Sequence, residues 1–234
     1  MNQPTVHSQT RATWVASIAA TLALIVSLFS LYESHEARIS AIRDNVTMQI
    51  TRYTGDYPLV TRNGNEHLTL GAVEVLWEVL LSNTGGSTVS LTGYEILQVA
   101  KEGGEILYTG MDRGIITAES LAPIHLPIAL EAGKSIKLLL KIGISPGNSA
   151  FQILSSTIAK EQRTITLREA EKYLALKHLD IYDNTVIPYY INGDVSGWRV
   201  ESRGKEQVFL VRFRTARGTE ISKVTHWYDL RKLQ

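Results

Sequence analysis

The chain has no cysteine among its 234 residues. That excludes a disulfide-stapled fold and thiolate metal sites, and it suits a periplasm and a cytosol equally. Excess charge is also missing. The 24 Lys and Arg stand against 23 Asp and Glu, so no global field points to nucleic acid. Six histidines, at 7, 35, 67, 125, 178 and 226, show no H-E-x-x-H or other paired ligand spacing. With 44% hydrophobic residues the chain is no disordered tail.

Motifs of catalysis fare no better. Ala132-Gly133-Lys134-Ser135 matches the end of a phosphate-binding loop, but Ile128 stands where the motif needs its first glycine. IKLLLKI follows and reads as a strand, not the helix whose N-terminus would hold phosphates. Gly143-Ile144-Ser145-Pro146-Gly147 fits the nucleophile pattern G-x-S-x-G, with Asp180, Asp183 or Asp194 and then His226 in hydrolase order. No repeated strand–helix units precede Ser145 to build the parallel sheet such a serine needs. Ser-Pro-Gly there reads as a turn between strands. No catalytic, cofactor or metal residue is assigned.

The longest uncharged run is what the chain does have. From Ala12 to Tyr32 no Asp, Glu, Lys or Arg occurs. As a helix it would reach roughly 31 Å, the hydrocarbon thickness of a bilayer. Trp14 and Tyr32 lie near its ends, where amphipathic aromatics favour headgroups. A cleaved signal peptide would have a shorter apolar run and a small-residue cleavage site. The reading is therefore a short polar N-terminus at 1–11 and one transmembrane helix at 12–32, with the lipid bilayer as partner. Arg11 before it and Arg38 and Arg43 after it leave the orientation open. Small residues at Ala12, Ala16 and Ala20, and at Ala19, Ala23, Ser27 and Ser30, have the spacing of a close helix–helix contact.

Residues 33–46 have helix-forming composition without Pro or Gly. Leu28, Tyr32, His35, Ile39, Ile42 and Val46 alternate at spacings of four and three, so this stalk could pair with a second copy as a homodimer. The alternative is a stalk resting on the first strands or on headgroups.

Residues 47–234 hold a β-rich globular domain. In AVEVLWEVLLSN, Val73, Val75, Trp77, Val79 and Leu81 share one face, and Glu74 and Glu78 share the other. Asn83-Thr84-Gly85-Gly86 reads as a hairpin turn into STVSLTGYEILQVA, and Lys101-Glu102-Gly103-Gly104 as a second turn. LPIALEAGKSIKLLLKIGI reads strand, turn at Glu131-Ala132-Gly133, strand. Thr166 and Glu169 form a capping box opening a helix near 166–178, a crossover laid on the sheets. Strands return at TVIPYYI, turn at Asn192-Gly193, and end in a hairpin of EQVFLVRFRT and EISKVTHWYD. Together these elements predict a mainly β, antiparallel sandwich.

WEVLLSNTGGSTVSLTGYEI, followed by LPIALEAGKSIKLLLKI, resembles the immunoglobulin-like β-sandwich modules of uncharacterised single-pass bacterial membrane proteins. The likeness covers roughly residues 12–145. It implies an immunoglobulin-like fold and a tether in a bacterial inner membrane, and it carries over no functional residue.

Residues 199–234 hold nine Lys or Arg against four acids. Arg212, Arg214, Arg217, Lys223 and Trp227 are the candidate interaction surface: a basic, aromatic-edged sheet face could meet anionic lipid, nucleic acid or an acidic partner. Such charges also serve to keep an edge strand from pairing. The leading expectation is a tethered, non-catalytic interaction module that binds an unknown partner protein or the membrane surface. The competing one is a membrane-anchored hydrolase assembled from distant residues, with Ser145 and His226 as the nameable pair.

Overall fold

The computed structural model describes residues 6–42, 44–62, 72–100, 103–106, 111–161, 165–201 and 206–228. It opens with one helix, α1 (Val6–Ile42). Within it, Ala16–Glu36 is long and apolar enough to cross a membrane, with mean hydropathy 1.7 and no burial against the rest of the chain. Ile18, Leu22, Ile25 and Phe29 are all more than half exposed. The helix runs without a break past the charged residues after Tyr32, so span and stalk are one rod. It ends at Ile42, and Val46 already opens the first strand, so the stalk seam cannot run through Val46. The side chains of Ile39 and Ile42 lie outside the described residues.

The rest is mainly antiparallel β-structure. One sheet has the order β1 (Val46–Arg52), β3 (Ala72–Asn83), β8 (Ser135–Ile144), β6 (Asp112–Thr117), with β2 (Val60–Arg62) also on β3. A second has the order β12 (Glu220–His226), β11 (Val208–Thr215), β4 (Val89–Val99), β5 (Glu105–Ile106), with β7 (Ile128–Leu130) also on β4. Their inner faces meet in one core. Val73, Val75, Trp77, Val79 and Leu81 of β3, alternating as their sequence period requires, pack with Phe209, Val211 and Phe213 of β11. All eight are at most 1% exposed. Truncating one of the phenylalanines to alanine would cost about 3–5 kcal/mol.

Two of the expected turns do different work. β3 and β4 belong to different sheets, so Asn83–Gly86 is a crossover between sheets and not a hairpin. Buried Asn83 makes the corner: its side-chain amide donates to the carbonyls of Ser87 and Leu130, and its Oδ1 accepts from the N–H of Gly85. The turn after Leu130 likewise carries the chain from one sheet to the other. The terminal β11–β12 hairpin is as the sequence predicts, with strands paired from Val208↔His226 to Arg214↔Glu220.

A helix the sequence did not reveal, α2 (Asn148–Glu161), follows β8, and its Ala150 and Leu154 reach the core. Residue 148 onward has no local cap to announce a helix. The cap comes from Asp183, whose carboxylate accepts from the N–H groups of Ser149 (3.0 Å) and Ala150 (2.7 Å). The capping box does open α3 (Leu167–Ala175), with Thr166 and Glu169 exchanging both bonds. Finally β9 (Val186–Ile191) and β10 (Asp194–Val200) form a separate hairpin. Positive φ at Asn192 and Gly193 gives its two-residue turn the hand that matches strand twist.

Candidate functional site

Asp44, two residues past α1, is buried, and its carboxylate accepts from Thr215 Oγ1 (2.6 Å) and Arg217 Nη1 (2.7 Å). Arg217 also donates to Ser87 Oγ, and Thr84 donates its N–H to the carbonyl of Asn45. The turns after β3 and β11 therefore grip the chain where it leaves α1. From that grip the chain continues into β1. At its far end, Arg52, it reaches an open cleft of about 730 Å³.

Three segments wall this cleft: residues 52–55 at the end of β1, Leu167, Arg168, Glu171 and Lys172 of α3, and Asp194–Trp198 of β10. Arg168, Glu171 and Lys172 share a stripe because their spacing is i, i+3, i+4, while Leu167, Ala170 and Leu174 turn into the core. The floor is an ion pair, Arg52 Nη1 to Glu171 Oε1 at 2.5 Å, with the guanidinium 4.7 Å from the centre of the Trp227 ring. Trp227 in turn meets Tyr182 edge-on at 5.6 Å and Trp77 at 6.4 Å. Burial pushes the Glu171 carboxyl above its ordinary range, against the opposing pull of Arg52.

Behind the floor, Tyr228 donates its hydroxyl to Asp180 Oδ2 at 2.5 Å. Asp180 also accepts from the N–H groups of Tyr182 and Asn184 and from the Asn184 amide. Its carboxylate is thus saturated and locks the loop that supplies Asp183 to α2. On the rim, Lys172 Nζ meets Asp194 Oδ2 at 2.8 Å. Pairing off Arg52 with Glu171 and Lys172 with Asp194 leaves Arg168, which is exposed and has no ion-pair partner among the described residues.

The residues expected to form a basic surface are distributed differently. Trp227 is 3% exposed and belongs to the core. Arg212 meets Glu95, Glu105 and Glu220, and Arg214 meets Glu95 and Glu220. The neutralising acids come mostly from β4 and β5, far away in sequence, which is why counting charges over 199–234 overstated the patch. Arg217 grips Asp44, and Lys223 stays exposed on β12. Arg203, Lys205, Arg231 and Lys232 lie outside the described residues.

Ser145 does sit between a strand and a helix, where a turn between strands was expected. The strand is part of an antiparallel sheet, and the N–H of Ser145 donates to Gln207 Oε1. The ring of His226 lies 3.8 Å from Glu206, and no hydrogen bond joins it to Ser145 among the described residues. The described residues also contain no cluster of three metal-ligating side chains. No family model matches this chain, and no curated protein matches it in sequence.

Little local signal announces the cleft. Arg52, Glu171 and Trp227 come from three distant segments. Only the stripe Arg168, Glu171, Lys172 is legible once the capping box fixes the phase of α3.

Proposed function

We propose that the chain is a single-pass, membrane-tethered, non-catalytic binding module that offers the cleft beside Arg52 to a partner protein. One observation carries this reading: the cleft lies at the opposite end of β1 from the residue that grips the anchor helix. Seven residues of strand place it roughly 20 Å beyond that grip. A site there stands apart from the turns that hold the chain beside α1, which favours a protein over the membrane surface as partner. The cleft is concave, its floor is fixed by a part-buried ion pair and edge-on aromatic rings, and it exposes a cation with no ion-pair partner among the described residues, as binding sites do.

The arrangement of two antiparallel sheets around one core supports an immunoglobulin-like sandwich. With the resemblance of its strand and turn pattern, that favours a bacterial inner membrane as its home.

The test uses the full chain in native membranes. A photo-cross-linking residue replacing Ser196, in the cleft wall, should give a discrete adduct that Arg168→Glu abolishes. The same group at Lys223 should give none. Cross-linking at Lys223 alone would move the binding surface to β12 and overturn this reading. Release of the chain by alkaline carbonate would overturn the tether.

A further inference from the structure

Resting on the preceding reading, we propose that the cleft takes an extended peptide segment, which adds as a strand to the outer edge of β10 and places an acidic side chain on Arg168. The hairpin register carries the argument. Val186 pairs with Val200, yet the Val186 N–H donates to the carbonyl of His178, so this pair turns its backbone groups outward from the ladder. Two residues on, Pro188 pairs with Trp198 in the same phase, and proline has no N–H to give. The outer edge of β9 is therefore obstructed at two successive positions, by His178 at one and by Pro188 at the next.

The matching groups of β10 point the other way. Trp198 directs its N–H and C=O away from β9, and no backbone hydrogen bond reaches either among the described residues. Val195 shares that phase on the far side of the bulge at Ser196; its N–H is held by the Asp194 carboxylate, and its carbonyl remains. Five consecutive residues, Asp194 to Trp198, line the cleft, so this open edge faces into it.

An exposed edge invites an added strand, which gains affinity through main-chain hydrogen bonds and specificity through alternate side chains. The facing wall supplies the specificity. Of the five charged groups that line the cleft, four are paired, and Arg168 is left for an incoming carboxylate. A small anion would need donors converging on one point. Here one donor and two acceptors lie along a line with one cation beside it, which is the shape of a peptide.

The experiment places the full chain in lipid nanodiscs and selects binders from a displayed library of random linear peptides. Arg168 and Ser196 are exposed, so unchanged thermal unfolding of their variants verifies the fold. Selected peptides are expected to carry Asp or Glu and to bind roughly tenfold more weakly to Arg168→Glu. N-methylation of alternate peptide nitrogens should abolish binding in one register and spare it in the other. The Trp198 amide should exchange more slowly with peptide bound. Tolerance of both N-methyl registers would overturn strand addition. Equal enrichment on Ser196→Trp, whose cleft is filled, would overturn it as well. If no peptide is enriched while the Ser196 cross-link still forms in membranes, this proposal falls and the binding reading stands. Loss of both removes both.

Discussion

The guanidinium of Arg52 sits 4.7 Å from the ring centre of Trp227, a residue that is 175 positions away and 3% exposed. The same guanidinium holds Glu171, so one cation serves an aromatic face and a largely buried carboxylate together.

Arg52→Met keeps most of the packing and removes the charge, which leaves Glu171 uncompensated. It should lower the unfolding free energy by about 1–3 kcal/mol, less than for a fully buried pair because water reaches the Arg52 side. Adding Glu171→Gln should return part of that loss. Chemical denaturation in detergent micelles reads both, and a double variant no more stable than Arg52→Met would sink the pairing account.

The tyrosines set the alkaline limit. Burial pushes the Tyr57 phenol up to about 12, and burial with bonds to Asp112 and Asp180 pushes Tyr94 and Tyr228 up as well. Unfolded, each would ionise near its ordinary value of 10.0. Above that value the native state holds more protons than the unfolded one, so stability falls as pH rises from about 10. Phenolate absorbance for these three should therefore appear together with unfolding, and not in the folded chain at pH 10–11.

Gly147 has no room for a methyl group: an added Cβ would overlap the Asp183 carboxyl group. Gly147→Ala should displace the cap of α2 and cost about 1–2 kcal/mol. In an Asp183→Gly background the same change should cost little, because the cap is already gone. A double-mutant cycle measures this, and strict additivity would refute the coupling.

On the outer face of the second sheet, Arg212 stands among Glu95, Glu105 and Glu220. Arg212→Met should lower the thermal midpoint at low salt, a change worth about 1 kcal/mol, and the deficit should shrink in 1 M NaCl. A deficit independent of salt would assign the effect to packing.

What was legible in the sequence was periodic or local. The face Val73 to Leu81, the face Phe209 to Phe213, the capping box at Thr166 and the apolar helix all follow from spacing along one segment. What was not legible depended on partners far along the chain. α2 is capped by Asp183, so nothing next to Asn148 marked its start. The turn at Asn83 has hairpin composition, and only the placement of β4 in the other sheet makes it a corner. The basic residues of β11 looked unopposed because Glu95 and Glu105 precede them by more than a hundred positions. The cleft belongs to this second class, apart from the stripe Arg168, Glu171 and Lys172 on α3.

The grip on Asp44 has a consequence for reach. A single residue separates it from the end of α1, so the domain's hold on the chain begins one residue after the helix. A module on a flexible leash samples a hemisphere, and its local concentration at any target is diluted accordingly. Under the proposed reading, a hold that begins one residue after the helix shortens that leash, so the cleft samples a smaller volume and meets targets within it at higher effective concentration.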